Sequence, residues 1–105
     1  MTEFLNVAIA KSANVYFDGK VTSRKLTFSD GSVKTLGIMM PGEYTFGTNE
    51  KELMEITAGE CEILLPDTTN WQQVVGGESF NVPANSEFSI KAKTLIDYCC
   101  SYNNE

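Results

Sequence analysis

Pro41 to Gly59 reads PGEYTFGTNEKELMEITAG, and its punctuation decides the fold. Pro41-Gly42 opens the stretch and Gly59 closes it, and both interrupt regular structure. Between them Tyr44, Phe46 and Thr48 stand at alternate positions, with Glu43 and Thr45 on the opposite parity. Alternation with a period of two gives each set its own face of a strand. After the Thr48 to Lys51 turn, Met54 and Ile56 repeat the pattern. Two short strands joined by a turn are expected here.

The pattern extends in both directions. Upstream, Asn14 to Gly19 ends in a turn, and Lys20 to Phe28 alternates imperfectly through Val21, Leu26 and Phe28. Asp30-Gly31 carries the signal of a tight hairpin, because such turns need left-handed positions that Gly and Asp accept. Val33 to Met40 continues as a strand. Downstream, Cys61 to Leu65 is an apolar strand closed by Pro66-Asp67, and Gly76-Gly77 separates Trp71–Val75 from Glu78–Val82. Phe88 and Ile90 share a face, and Leu95 to Tyr102 closes the chain. Only Phe4 to Ala10 is ambiguous between a short helix and an edge strand. Roughly nine or ten short strands at turn-marked intervals predict an all-β antiparallel sandwich or barrel.

The chain has 105 residues, expected to form one domain over 1–105 with a single core. Its net charge of −6 argues against binding nucleic acid or an anionic membrane, since phosphates repel such a surface. Cys61, Cys99 and Cys100 make an odd count with no Cys-x-x-Cys pair, so buried reduced thiols and a cytoplasmic location are expected. Ala8-Ile9-Ala10 has the form of a signal-cleavage site, but no basic residue precedes it and Glu3 is acidic. No apolar run is long enough to span a bilayer as a helix.

The spacing of Pro41-Gly42, Glu52 and Gly59-Glu60 resembles the first motif of the cupin superfamily. Gly77 followed by Phe80-Asn81-Val82-Pro83 resembles the second. Metal-binding cupins place histidines near Thr45–Thr48 and near Phe88, whereas this chain has no histidine. A transition-metal site of that kind relies on imidazole nitrogens, and Glu52 alone is no substitute. Neither a metal nor another cofactor is expected.

Four further strings narrow the resemblance: Tyr16-Phe17-x-Gly19-Lys20-Val21, Gly42-Glu43-Tyr44-Thr45-Phe46, Leu64-Leu65-Pro66-Asp67 and Phe80-Asn81-Val82-Pro83. With Tyr98-x-Cys100-x-Tyr102 they run in order from Asn14 to Tyr102. Together they resemble the pyrimidine/purine nucleoside phosphorylase family of small bacterial cupins. The resemblance implies a metal-free, homodimeric jelly-roll barrel that splits nucleosides with inorganic phosphate, giving free base and pentose 1-phosphate with broad tolerance for the base. Residues 1–13 lie beyond it, as an extension expected to pack on the barrel or at a dimer interface. Asn85 stands where the second motif usually has glycine, and Ser101 where some relatives carry a basic residue. Asn accepts a left-handed turn, so the fold is not threatened.

Phosphorolysis of an N-glycosidic bond builds positive charge on the sugar and negative charge on the departing base. Donors for phosphate, hydrogen bonds to the sugar and a group that stabilises the base can carry it by positioning and electrostatics. Glu52 is the first catalytic candidate, facing inward near the barrel mouth; as a structural residue it would instead accept backbone donors. Glu43 is the second, with a solvent-facing alternative. Tyr44, Phe46 and Phe88 can stack a base of any identity, or simply fill the core. Thr48, Tyr98 and Tyr102 join them as candidate substrate contacts. For phosphate the candidates are Arg24, whose guanidinium makes a bidentate fork, with Thr45 and Ser86; Lys20, Lys25 and Lys34 are the neighbouring cations. From a different class of function, a non-catalytic cupin that binds a sugar or nucleotide as sensor or store is also compatible with these residues.

Overall fold

In a computed structural model the protein is described over residues 3–103. Among these residues are eleven strands: β1 (Ala8–Ile9), β2 (Asn14–Tyr16), β3 (Val21–Thr27), β4 (Val33–Met39), β5 (Gly42–Gly47), β6 (Lys51–Ala58), β7 (Glu60–Leu64), β8 (Gln72–Val75), β9 (Glu78–Val82), β10 (Glu87–Ala92) and β11 (Ile96–Asn103). The all-β expectation holds, and within Phe4–Ala10 the regular structure is the two-residue edge strand Ala8–Ile9 rather than a helix. Among the described residues the helical structure is one 3₁₀ turn, Phe17–Gly19, and no helix is long and apolar enough to cross a membrane.

The strands form two sheets. The larger has the order β1-β3-β4-β11-β6-β9, with β2 also on β3; the smaller has the order β5-β10-β7-β8. Every pairing is antiparallel. Chain neighbours leave one sheet for the other at Pro41 and at Gly59, which explains why the punctuation of the opening stretch carries the topology. At the β3–β4 hairpin Gly31 has φ +89°, and Asp30 accepts bonds from the Ser32 amide at 2.9 Å and hydroxyl at 2.6 Å. Asn85 adopts φ +54°, the left-handed turn that asparagine tolerates in place of glycine.

The N-terminal segment lies along the free edge of β3. Ala8 and Ile9 pair with Thr27 and Leu26, and Asn14 to Tyr16 pair with Ser23 to Val21. Phe4 meets Phe28 edge-to-face at 5.2 Å. This covers an edge that would otherwise present unpaired amides and carbonyls.

Inward-facing residues of the two sheets interdigitate into one core, in which Val21, Met39, Ile56, Ile63, Ile90 and Ile96 are at most 1% exposed. Fully burying each such side chain is worth roughly 1.5–3 kcal/mol. Along the large sheet the inward rows then change character. Val21 gives way to Ser23 and Lys25 on β3, Met39 to Gly37 and Thr35 on β4, and Ile56 to Met54 and Glu52 on β6. One end of the sandwich is therefore an apolar plug, and the other is a polar hollow.

Candidate functional site

The hollow is a cavity of about 180 Å³ between the sheets. The large sheet supplies Ser23, Thr35, Glu52, Tyr98, Cys100 and Tyr102, a wall of hydroxyls, a thiol and one carboxyl. The small sheet supplies Phe46 and Phe88, whose rings stack at 5.6 Å with 30° between their planes. Tyr16 of β2 stands at the opening, 45% exposed. One wall can therefore hydrogen-bond a polyhydroxylated ligand while the other offers a flat aromatic face.

Strand register accounts for the polar wall. On β11, Tyr98, Cys100 and Tyr102 project to the same side; Cys100 lies opposite Thr35 on β4 and Met54 on β6, and Tyr102 lies opposite Glu52. The Tyr98 hydroxyl donates to the Thr22 carbonyl at 3.2 Å, with its ring lying over Gly37. The Tyr102 and Thr35 hydroxyls are 3.2 Å apart. The Cys100 thiol donates to Glu52 Oε1 at 3.5 Å.

Glu52 is half-buried, and desolvation pushes its carboxyl above the ordinary carboxylate range. The Cys100 bond opposes that shift and the nearby Glu50 charge adds to it. Among the described residues no cation lines the inner cavity, so no positive charge there favours the ionised form. Burial also pushes Tyr98, Tyr102 and Cys100 upward, so all three remain protonated donors at neutral pH.

A second, outer chamber of about 440 Å³ meets the first at Thr35 and Tyr102. Asn14, Lys25, Ser32 and Glu50 help to line it. Lys25 pairs with Thr35 across the β3–β4 ladder, in the row that continues to Cys100. The two chambers thus adjoin, with the carboxyl in one and the lysine in the other.

Of the candidates read from sequence, Glu52, Phe46, Phe88, Tyr98 and Tyr102 are brought together in the inner cavity. The others lie elsewhere. Tyr44 is 4% exposed in the core and donates to the Met40 carbonyl at 2.7 Å. Glu43 and Thr45 are on the outer face of β5, Glu43 opposite Lys91 and Thr45 bonded to the Ser89 hydroxyl at 2.9 Å. Thr48 is a buried latch, donating to the Pro83 carbonyl at 2.7 Å and accepting from the Ser86 amide at 3.0 Å. The Ser86 hydroxyl turns back to the Ala84 carbonyl. Arg24 is exposed on the face opposite Lys25, and its guanidinium donates to the Lys11 carbonyl at 2.6 Å. Ser101 likewise alternates away from the cavity, between Cys100 and Tyr102. Sequence reading missed Tyr16, Ser23, Thr35 and Cys100 as cavity residues; the inward parity of Val21-Ser23-Lys25 was the signal that pointed to the β3 members.

Among the described residues no group of three or more His, Cys, Asp or Glu side chains converges to hold a metal ion. Cys61, Cys99 and Cys100 are buried free thiols.

A family model described as pyrimidine/purine nucleoside phosphorylase matches residues 11–102. A protein of that name from Colwellia psychrerythraea is 72% identical over 102 residues, spanning 97% of this chain and 98% of its own. Another, from Hydrogenovibrio crunogenus, is 60% identical over the same shares. At 97% of the chain these likenesses reach well into residues 1–13, which the motif strings left out. A crystal structure of a protein of unknown function from Acinetobacter superposes with a TM-score of 0.93 at 40% identity, covering 96% of this chain and 98% of that one. A cupin superfamily protein from Desulfitobacterium hafniense, at TM-score 0.68 and 20% identity over 90% of this chain and 84% of its own, shares the fold. The ordered strings, the cupin architecture and these near full-length likenesses agree: the chain belongs to the pyrimidine/purine nucleoside phosphorylase family.

Proposed function

We propose that this protein cleaves purine and pyrimidine nucleosides with inorganic phosphate, without a metal, to give free base and pentose 1-phosphate. Beside the family membership, the observation that carries the reading is the pair of adjoining chambers. The inner one has an aromatic wall and a half-buried carboxyl, and the outer one has a lysine. In this reading the base enters first and lies against Phe46 and Phe88. Stacking accepts any heterocycle because every base has a π face, and this supports broad specificity. The pentose occupies the neck between the chambers, within reach of the Thr35 and Tyr102 hydroxyls. Phosphate sits outside, held by Lys25.

The chemistry follows from that order. A phosphate oxygen bonds to C1′ of the pentose while the C1′–N bond breaks, and its electron pair passes to the base. Glu52, whose hold on its proton is strengthened by burial, donates that proton to the departing base nitrogen or carbonyl oxygen. The proton released as phosphate becomes an ester restores the carboxyl. In this reading Glu52 is the acid, and Lys25 rather than Arg24 is the phosphate cation, because adjacent residues of a strand face opposite ways. Tyr44, Thr48, Thr45, Ser86 and Glu43 then act as framework or surface.

The test is incubation of the purified protein with adenosine, inosine, uridine and cytidine, with and without phosphate and in the presence of a chelator. Phosphate-dependent release of base from nucleosides of both classes is expected. Tight binding of an unaltered nucleoside with no release in any condition would instead favour a sensor or store. Two copies are expected to associate in solution, because the small sheet ends in an uncovered β5 edge and a β8 edge only four residues long. A monomeric mass by light scattering at micromolar concentration would remove that expectation. The three buried reduced thiols fit a cytoplasmic enzyme of nucleoside salvage.

A further inference from the structure

The reaction just described leaves the Cys100 thiol of the inner cavity without a task. Cys100 is 3% exposed, lines the cavity, and directs its thiol at Glu52 Oε1, 3.5 Å away. A thiol is a weak donor, and as a thiolate it is a nucleophile or metal ligand. Here burial and the neighbouring Glu52 hold it protonated. It therefore takes no part as base or nucleophile, and what it keeps is a fixed hydrogen atom aimed at a carboxyl.

We propose that Cys100 is a positioning residue for the general acid: its thiol holds the Glu52 side chain in one rotamer against β11 and sets how readily that carboxyl gives up its proton. The inference rests on the acid role assigned to Glu52 above.

Three observations support it. The thiol is the one side-chain donor bonded to the Glu52 carboxyl, which has no salt-bridge partner among the described residues. Cys100 itself is fixed by its place in the central strand of the large sheet, between Thr35 and Met54. The ionisable groups that share the cavity with Glu52 or act on it are Tyr16, Glu50, Tyr98, Tyr102 and Cys100, and none of them supplies a positive charge. A donor to the ionised form favours ionisation, whereas desolvation and Glu50 oppose it. The thiol is therefore the group that pulls the carboxyl's proton affinity down against these two. An acid donates most effectively when its proton affinity lies near the working pH. A weak S–H donor produces a smaller downward pull than a hydroxyl would.

The test uses the full-length protein and two substitutions of opposite sense. Cys100→Ser keeps the shape and strengthens the donor; Cys100→Val fills the space and removes it. The first readout is the alkaline limb of kcat, where the acid loses its proton. That limb is expected to move to lower pH in Cys100→Ser and to higher pH in Cys100→Val. Away from the limb kcat should fall a few-fold in Cys100→Val, with little change in the KM for nucleoside. The second readout does not need turnover: the midpoint of the Glu52 carboxyl carbon followed by ¹³C NMR against pH should shift in the same order, Ser below Cys below Val. A merely structural role would move stability and KM together and leave the midpoints unordered. If Cys100→Val does not fold, Cys100→Ala supplies the donor-free arm. Unordered NMR midpoints overturn the proposal whatever the activity. Ordered midpoints in a protein that releases no base keep the thiol–carboxyl coupling and overturn the acid role on which this inference rests.

Discussion

Gly37→Ala is the substitution through which the architecture of the polar wall can be measured. Gly37 lies on β4 opposite Tyr98 of β11, and on its other side opposite Ser23 of β3. A methyl group at this position would stand 2.5 Å from the Tyr98 hydroxyl and 2.6 Å from its Cζ, and would collide with the backbone carbonyl of Thr22. The Tyr98 ring lies over the bare glycine, and its hydroxyl bonds to that same carbonyl. A tyrosine laid across a strand glycine is a recognised way of filling the gap that glycine leaves. Adding one methyl therefore forces the ring off its site or the β3–β4 ladder apart. Overpacking of this kind costs roughly 1–3 kcal/mol, and loss of the hydroxyl bond adds about 1 kcal/mol. A total of roughly 2–4 kcal/mol is a large part of the ~5–15 kcal/mol that holds a domain of this size folded. At the ~4–8 °C per kcal/mol typical of such domains, the melting temperature should fall on the order of 10–30 °C. Thermal melts followed by circular dichroism, with a urea series to check that the slope is unchanged, make the measurement. Gly37→Ala combined with Tyr98→Ala should cost less than the sum of the two singles, because they share one contact. A melting temperature within about 3 °C of the parent, or strict additivity in the pair, would refute the reasoning.

Other outcomes follow from the site. Glu52→Gln should keep the fold and lower kcat by about 10²–10⁴-fold, the usual contribution of a positioned acid, measured with uridine and adenosine at saturating phosphate. The same variant should be more stable than the parent at alkaline pH. The folded state raises the Glu52 proton affinity, so its stabilising effect is present at low pH and lost as the carboxyl ionises; glutamine never ionises. Urea midpoints that differ between the two proteins at acid pH and converge at alkaline pH would contradict this. Lys25→Ala should raise the KM for phosphate at least tenfold while leaving nucleoside affinity within about threefold, roughly the 1.4 kcal/mol of a charge-assisted contact; Arg24→Ala should change neither. Burial pushes the Cys61 thiol up to about 11, so at pH 8 the native protein should react slowly with iodoacetamide and the unfolded chain should react quickly at all three cysteines. Rapid labelling of the native protein, read by mass spectrometry, would count against the burial described here.

The fold was legible where turns are marked by residues with special backbone needs. Asp30-Gly31, Pro41-Gly42, Gly59 and Gly76-Gly77 each fall at a strand end. The N-terminal strands were not, since Ala8–Ile9 and Asn14–Tyr16 are short and exposed and show no alternation of buried and exposed residues. They become strands because the β3 edge offers them partners. The site was half legible for a related reason. Glu52 and the Tyr98–Tyr102 pair stand out because large or charged residues at alternate positions of a strand cannot be ignored. Ser23, Thr35 and Cys100 are small, and nothing local shows that β3, β4 and β11 lie side by side, since β11 joins β4 across more than fifty residues of chain. Arg24 and Lys25 show the limit most sharply. Composition makes them equivalent, and only the register of β3 turns one to solvent and the other to the chamber.

The contact between the two chambers has a kinetic consequence. In the proposed reading the base lies against Phe46 and Phe88, and phosphate on Lys25 closes the neck at Thr35 and Tyr102 behind it. If the base passes only by that neck, nucleoside enters before phosphate, pentose 1-phosphate leaves before the base, and steady-state kinetics are ordered and sequential. Exchange of the base past Tyr16, which also lines the inner chamber, would instead make the order random. The free base should compete with nucleoside for the empty enzyme, while pentose 1-phosphate should not. Reverse synthesis of nucleosides would begin with the base already seated, so the protein would accept whichever pentose phosphate next reached its mouth.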